Sequence, residues 1–173
     1  EQDALTLKYQ LGLNIVRTAH YPQSQHFINK CDEIGLLVFT EIPGWQHIGP
    51  KGEWWDITCQ HATEMVMQYR NHPSIIIWGV RINESPDCDE LYQRTNDIVH
   101  ALDDTRQTGG VRCIKNSSLL ENVYTYNDFI HRGYNAALDE VSSVLPEGLQ
   151  APYMVTEYNG HIYSLYNNLT NYT

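Results

Sequence analysis

The chain alternates between segments with the apolar spacing of a helix and short runs of nearly continuous apolar residues. In the first kind, apolar residues recur three and four positions apart, which places them on one face of a helix. The second kind is rich in β-branched and aromatic residues, as buried strands are. The spacing predicts helices over Glu1–Leu11, Pro22–Ile34, Ile57–Arg70, Asp89–Leu102 and Tyr134–Leu145. The apolar runs predict strands over Leu13–His20, Leu36–Glu41, a stretch beginning at Ile75, Asn122–Asn127 and Tyr153–Tyr158, and a short strand or turn over Thr105–Gly110.

Helices that alternate with strands across short connections are typical of a parallel sheet with helices on its outside. Polar residues concentrate where the predicted strands end. They are Arg17, His20, Glu41, Asn83, Glu84, Asn127 and Glu157. Successive strands that deliver polar groups to one edge are typical of a (β/α)8 TIM barrel, whose active site lies at the carboxyl ends of its strands. A full barrel needs roughly 250 residues, so residues 1–173, with about six strands, are predicted to form a fragment of such an α/β barrel.

Composition and charge argue against several classes of protein. The net charge is −10, whereas a nucleic-acid-binding surface needs basic stripes. No apolar run is long enough to span a bilayer. The four cysteines lie far apart, without a Cys-x-x-Cys pair, and are interpreted as free thiols. The eight histidines match no common metal-ligand spacing, and no glycine-rich dinucleotide motif follows a strand. We therefore predict no metal, no cofactor, no nucleic-acid partner and no membrane association, and leave the compartment open.

Two glutamates, Glu84 and Glu157, follow apolar runs at predicted strand ends. An ionised carboxylate there is costly unless it is paired or used. Cleavage of a glycosidic bond with retention of configuration needs two carboxyl groups about 5–5.5 Å apart, one as acid and then base, the other as nucleophile. Asn83 could hold a sugar 2-hydroxyl or the nucleophile, and Arg17 could keep Glu157 ionised. The alternative is structural: each glutamate forms a buried salt bridge, and Arg17 pairs with Glu41.

Three stretches of the sequence carry a resemblance to a known family. They read GLNIVRTAHYPQSQHFINKCDEIGLLVFTEIPGW, RNHPSIIIWGVRINES and YMVTEYNGH. They resemble the catalytic barrel of glycoside hydrolase family 2, which includes β-galactosidases, β-glucuronidases and β-mannosidases. The resemblance extends from the first residue to about His161 and matches the second through seventh strands of that barrel. It implies that Glu84 is the acid/base, that Glu157 is the nucleophile, and that Arg17 and His20 support the nucleophile and the sugar hydroxyls.

The sequence departs from the family pattern at three points. The family usually reaches its acid/base through W-S-x-x-N-E, whereas Trp78–Glu84 contains one residue more. An Asn-x-Tyr motif after the sixth strand is replaced by Asn127-Asp128-Phe129, so Tyr126 or Tyr124 takes the role of that tyrosine or the role is absent. Some β-galactosidases of the family bind magnesium through Glu-x-His after the third strand. Here that segment reads Glu41-Ile42-Pro43, which predicts no such metal.

The loop predicted over Pro43–Asp56 carries Trp45, Trp54 and Trp55. These tryptophans either form a wall for sugar stacking, or they cover the barrel mouth or pack against a domain outside this sequence, and the sequence favours neither interpretation. The tail from Asn159 is polar and aromatic, and its pattern assigns no element.

The sequence predicts a retaining exo-β-glycosidase that acts on terminal β-linked sugars, with β-galactosides as the preferred class. The alternative is a barrel fragment without catalytic activity that serves as a carbohydrate-binding or structural module. The predicted catalytic residues are Glu84 and Glu157, and the predicted substrate-binding residues are Arg17, His20, Asn83, Asn127, Tyr126 and Trp45. The predicted partner is an oligosaccharide or β-glycoside, and any association between copies of the chain would involve domains that this sequence does not contain.

Overall fold

The computed structural model describes residues 1–129 and 137–158, and the backbone of two short strands at 161–163 and 170–172. The helices are α1 (Gln2–Leu5), which continues as a π-helical turn over Thr6–Gln10, α2 (Gln25–Ile34), α3 (Glu53–Tyr69), α4 (Asp89–Leu102) and α5 (Val141–Val144). The strands are β1 (Ile15–Arg17), β2 (Leu37–Glu41), β3 (Ile75–Gly79), β4 (Gln107–Arg112), β5 (Val123–Asp128), β6 (Tyr153–Tyr158), β7 (His161–Tyr163) and β8 (Thr170–Tyr172).

The first six strands form one parallel sheet in the order of the chain, β1 to β6. Consecutive parallel neighbours joined by outer helices are the arrangement of a TIM barrel. β1 and β6 are the two edges of this sheet, yet Arg17 at the end of β1 lies 2.5 Å from the carboxylate of Glu157 in β6. The sheet is therefore strongly curled, and the predicted partial barrel is confirmed. The strands β7 and β8 pair with each other in antiparallel orientation, in the segment for which the sequence predicted no element.

The central strands of the sheet are buried on both faces, which explains why β3 is apolar along its length. Phe39, Ile77 and Val111 form a cluster together with Met154. A larger cluster packs the helices against the strands and includes Trp78 of β3 and residues of α2, α3 and α4. Strand β3 contributes side chains to both clusters.

Local signals explain where the helices begin. Helix α2 starts at Gln25 rather than at the predicted Pro22, because the Ser24 side chain accepts a hydrogen bond from the Phe27 amide and caps the helix. It ends at Gly35, which adopts a left-handed conformation with φ +66°. Helix α3 begins four residues before the predicted start, so that Trp55 lies inside the helix and packs into the core.

In its described part, the helix predicted over Tyr134–Leu145 is wrong for residues 137–140 and correct for Val141–Val144. Residues 137–140 are not helical, and only Val141–Val144 form a short helix. The backbone N–H of Asp139 donates to the carboxylate of Asp128 at 2.7 Å, and Glu140 is extended. A contact from the end of β5 thus replaces the helical pattern that the apolar spacing indicated. Residues 134–136 of that prediction lie outside the described residues.

The connection from β4 to β5, residues 113–122, contains no helix. Beneath it lies a cluster that we call the arginine cluster: Arg81, Asp87, Arg112, Ser117 and Glu121. The two guanidinium groups are fully buried. Each also stacks on a tyrosine ring, at 4.8 Å from the Tyr92 centroid and 4.5 Å from the Tyr124 centroid. The cluster ties the loop after β3 to the loop after β4.

A second buried ionic group lies at the opposite, amino end of the strands. The Asp103 carboxylate accepts hydrogen bonds from the Trp78 indole at 3.0 Å, from the Thr105 amide at 3.0 Å and from Arg106 at 2.5 Å. Burial alone would raise the pKa of Asp103, but the hydrogen bonds from Thr105, Arg106 and Trp78 outweigh it and hold that pKa well below its usual range. This group anchors the start of β4 beneath β3.

Candidate active site

Side chains from four elements of the sheet meet at its carboxyl edge. Arg17 and Glu41 end β1 and β2, Asn127 lies near the end of β5, and Glu157 lies near the end of β6. Asn83 joins them from the loop after β3, where it is almost fully buried. Parallel strands end at a common edge, which is why residues far apart in sequence come together here.

Arg17 is the centre of this group. Its guanidinium binds both carboxylate oxygens of Glu41, at 2.7 and 3.0 Å, and one oxygen of Glu157 at 2.5 Å. It also donates to the Asn83 side-chain oxygen at 2.7 Å. Burial works against the charge of Arg17, but the carboxylates of Glu41 and Glu157 outweigh it and raise the pKa of Arg17. The two interpretations of Arg17 are therefore not exclusive, because it pairs with Glu41 and with Glu157 at once.

Glu84 stands in a backbone conformation that is rare for its residue type. Its φ of +53° lies in the left-handed region, and its backbone N–H donates to the Val111 carbonyl at 3.0 Å. Its carboxylate accepts one hydrogen bond from the Asn127 amide and one from the Gln46 amide, each at 2.9 Å. Both oxygens are therefore held by neutral donors. Non-glycine residues in such conformations occur preferentially at functional sites.

The extra residue between Trp78 and Glu84 is accommodated beside β4. The Val80 amide donates to the Gly109 carbonyl at 2.9 Å, so the main chain continues along β4 after β3 has ended at Gly79. Val80, Arg81 and Ile82 are buried, and Arg81 enters the arginine cluster. Gly79 stands where the family motif has serine, and a Cβ there would lie 2.3 Å from Cβ of Glu41. The glycine at this position thus has a steric reason.

Two asparagines connect the glutamates. The Asn127 amide lies 2.9 Å from Glu84 and 3.4 Å from the Asn83 side-chain oxygen, which in turn accepts from Arg17. A continuous path of polar contacts therefore runs from Glu84 through Asn127, Asn83 and Arg17 to Glu157. Within the described part of the chain, the buried Asn83 side-chain nitrogen has no hydrogen-bond partner. The expected separation of about 5–5.5 Å between the two carboxyl groups stays a prediction.

His20 belongs to the same group. Its Nδ1 atom lies 3.3 Å from Arg17 and 3.4 Å from the Glu41 carboxylate, and its side chain is about one-third exposed. His20 is thus in contact with Arg17, which holds Glu157 and Asn83, and with Glu41, which binds Arg17. Its predicted role in substrate binding stays a prediction.

Trp45 and Tyr126 are placed differently. Trp45 is 60% exposed, and its backbone forms an isolated bridge with Asn83. Tyr126 is buried in a cluster with Tyr124 and Val144, and none of the contacts described above reaches it. Burial, with the charges of the nearby aspartates, raises the pKa of Tyr126 to about 12. The structure therefore brings Trp45 to the site and places Tyr126 in a packed layer.

The aromatic loop does not form a wall of three tryptophans. Trp55 is 7% exposed, and its indole N–H donates to the Gly49 carbonyl at 3.2 Å. Trp54 packs against the core and meets the His47 ring edge to face. Trp54 and Trp55 thus pack against the core of this chain, and Trp45 is the exposed tryptophan of the three.

Gln46 is the functional candidate that the sequence did not indicate. It lies in a loop, carries no charge and belongs to no motif, so only its contact with Glu84 reveals it. Glu41 was recognised as a polar strand end but was assigned no role in the site.

Among the described residues, no group of three or more His, Cys, Asp or Glu side chains is arranged to hold a metal ion. No helix of the described chain has the length and apolar character needed to cross a membrane. The expectations of no metal and no membrane association remain predictions.

A curled parallel sheet whose carboxyl edge gathers acidic and amide side chains around an arginine defines an α/β barrel of the TIM type with a polar site at its mouth. The chain belongs to glycosyl hydrolases family 2, because the model of the TIM barrel domain of that family matches residues 1–173.

Named relatives agree with this assignment. A β-galactosidase from Thermoanaerobacterium thermosulfurigenes is 61% identical over 163 residues, which cover 94% of this chain and 23% of that protein. A β-galactosidase from Thermoanaerobacter pseudethanolicus is 54% identical over 170 residues, which cover 97% of this chain and 22% of that protein. Among solved structures, a family 2 β-galacturonidase from Eisenbergiella tayi matches with a TM-score of 0.79 at 26% identity, covering 96% of this chain and 32% of that one. The chain spans less than a quarter of the length of the two β-galactosidases.

Proposed function

We propose that this chain supplies the catalytic residues of a retaining exo-β-glycosidase that acts on terminal β-galactosides. The observation that carries the proposal is the path of contacts from Glu84 to Glu157 through Asn127, Asn83 and Arg17. It joins two strand-end carboxylates, the pair that retaining hydrolysis requires. The choice of galactose rests on the names of the two relatives with 61% and 54% identity.

In the first step, Glu157 attacks the anomeric carbon of the bound sugar. A bond forms between its carboxylate oxygen and that carbon while the glycosidic carbon–oxygen bond breaks. Glu84, in its protonated state, gives its proton to the departing oxygen. The product is a covalent glycosyl ester on Glu157 and a free alcohol.

In the second step, Glu84 acts as a base. It removes a proton from a water molecule, which attacks the anomeric carbon and displaces the carboxylate of Glu157. Two inversions give net retention of configuration. The proton taken from water returns Glu84 to its acid form for the next cycle.

The neighbouring side chains suit these roles. Arg17 cannot lose its proton in a protein, so it is a permanent positive charge beside the attacking carboxylate of Glu157. The Asn83 amide nitrogen is buried and without a partner within the described residues, so a sugar hydroxyl would satisfy a donor that is otherwise costly to bury. His20 and Trp45 border the same space and would contact the sugar ring.

The proposal is tested in the complete enzyme with chromogenic β-glycosides. Glu84→Gln is expected to slow substrates with poor leaving groups by orders of magnitude and activated aryl glycosides much less, because only poor leaving groups need the acid. Azide is expected to restore turnover of an activated substrate in Glu84→Ala by replacing the attacking water. The exposed Glu64 on α3 provides the matched control, since Glu64→Gln removes the same charge far from the site.

Two further measurements separate the parts of the proposal. Nuclear magnetic resonance of the first-formed sugar should show the β-anomer, and an α-anomer would exclude the retaining mechanism. A preference for β-glucuronides or β-mannosides over β-galactosides would overturn the sugar assignment alone. A complete, folded protein that cleaves none of these substrates would favour the non-catalytic alternative.

A further inference from the structure

The carboxylate of Glu84 is held from both sides by side-chain amides. Asn127, on β5, donates to one oxygen at 2.9 Å, and Gln46, in the loop after β2, donates to the other at 2.9 Å. An amide nitrogen can only donate, so these contacts favour the ionised carboxylate over the protonated one. Asn127 belongs to the path of contacts between Glu84 and Glu157, whereas Gln46 lies outside that path.

The backbone holds Gln46 in place for this contact. Its amide N–H donates to the Asn83 carbonyl at 2.8 Å, and the preceding residue, Trp45, bridges Asn83. Gln46 and Glu84 both adopt left-handed backbone conformations, with φ of +57° and +53°. Such conformations are uncommon and unfavourable for residues other than glycine, and they persist where the surrounding structure enforces them. Two strained residues from different loops thus meet through their side chains.

We propose that Gln46 is a positioning residue for Glu84, which fixes the orientation of its carboxyl group and sets the pH at which that group gives up its proton. The inference rests on the proposed function, because it assigns Gln46 to the acid/base step of that reaction. The carboxyl group of Glu84 must carry a proton at the start of the first step and must be ionised at the start of the second. A donor on Oε2 assists the second state, and its loss would leave the enzyme in the acid form at higher pH.

Other charges near the site also act on Glu84 and must be kept constant in the test. Arg17 is linked to Glu84 through Asn83 and Asn127, and it binds the carboxylates of Glu41 and Glu157. The Cys113 sulfur lies 3.9 Å from the Glu84 carbonyl oxygen. The charged and titratable residues around the site are Arg17, His20, Glu41, His47, Arg81, Cys113 and Glu157. A substitution at Gln46 leaves all of them unchanged.

The test is the pH dependence of kcat/KM in the complete enzyme, measured with a β-galactoside that has a poor leaving group. The basic limb of this profile reports the acid of the free enzyme. Gln46→Glu places a second carboxylate against Glu84, so the proton is retained longer and the basic limb should move up by about one pH unit. Gln46→Met keeps the length of the side chain without the donor, and should move the limb in the same direction by about half as much.

Gln107 provides the matched control. It is exposed at the first position of β4, at the opposite end of the strands from Gln46. Gln107→Glu adds the same charge there and should leave the limb unchanged. Gln46→Met decides the question by itself if Gln46→Glu does not fold, because it introduces no charge.

The outcomes separate this inference from the function on which it rests. If Glu84→Gln removes the basic limb but both Gln46 variants keep the profile of the unmodified enzyme, Gln46 has no positioning role and the proposed function stands. If Glu84→Gln leaves the basic limb in place, Glu84 is not the acid and both proposals fail. A lowered turnover with an unmoved limb would mark Gln46 as a structural residue only, and would also overturn the inference.

Discussion

Gly79 ends β3 where that strand passes closest to β2, and replacing it tests the steric basis of the site. Its strand conformation is open to any residue, so the close approach alone requires glycine. A Cβ at this position would lie 2.3 Å from Cβ and 2.8 Å from Cα of Glu41, whereas ordinary contacts measure 3.4–4 Å. Neither of these Glu41 atoms can rotate away. Gly79→Ala therefore has to separate the two strands.

The size of the effect follows from these distances. A displacement of about 1 Å is needed to reach an ordinary contact, and we expect a loss of about 3 kcal/mol in the free energy of unfolding, at the upper end of the usual cost of overpacking. Glu41 holds the Arg17 guanidinium through two hydrogen bonds, so the displacement reaches the site. A misplacement of about 1 Å at a catalytic group can lower turnover by about 10²-fold.

Gly109 is the matched control, because it lies directly opposite Gly79 in the register of β3 and β4. The three atoms nearest to a Cβ at Gly109 belong to the side chains of Thr125, Phe39 and Ile77, at 3.2–3.4 Å, and a shift of a few tenths of an ångström would relieve these contacts. Gly109→Ala should cost less than about 1 kcal/mol. The assays are urea unfolding followed by tryptophan fluorescence, and kcat/KM on a chromogenic β-galactoside. Equal midpoints and equal turnover in the two variants would refute the reasoning.

Two further substitutions probe the buried charges. Arg17→Met leaves the Glu41 carboxylate buried without its cation, so we expect a loss of about 3–5 kcal/mol in unfolding free energy. The acidic limb of the rate profile should also move to higher pH, because the attacking carboxylate loses its positive neighbour. An unmoved acidic limb would show that Arg17 does not act on Glu157. Asp103→Asn should cost about 2 kcal/mol at neutral pH. Folding lowers the pKa of Asp103, so its stabilising contribution is complete above the unfolded pKa of about 3.9 and declines as the pH falls below that value. The unfolding free energies of the unmodified protein and of Asp103→Asn should therefore converge in acid. A difference between them that does not change with pH would contradict this account.

Much of the barrel follows from sequence because its signals are local. The bounds of α4 and β6 agree with the apolar pattern residue for residue, since both elements bury a face whose spacing is visible in the sequence. The convergence of Arg17, Asn83 and Glu157 follows from topology, because parallel strands end at one edge. What sequence could not decide was the pairing of Arg17. One candidate carboxylate ends the neighbouring strand β2 and the other lies in β6, at the opposite edge of the sheet, and the structure shows that Arg17 binds both.

The errors have a common physical origin in contacts between distant segments. The spacing of apolar residues before Leu145 is helical, but the Asp128 carboxylate accepts a hydrogen bond from the Asp139 amide, and Glu140 has an extended backbone. Gln46 was missed for a related reason, because its position depends on a left-handed backbone and on a hydrogen bond to Asn83. Neither leaves a periodic signal in the sequence.

The arginine cluster has a consequence for inheritance and for protein engineering. Its members come from three separate stretches of the chain, around residues 81–87, at 112 and at 117–121. A buried guanidinium that loses its carboxylate is left as an unpaired charge. Each stretch is therefore compatible with a stable fold only when the other stretches supply the partners of its side chains. These stretches are therefore expected to change together during evolution. A loop exchange between relatives that transfers residues 113–122 without the partners of Ser117 and Glu121 should fail, whereas one that moves all three stretches should succeed.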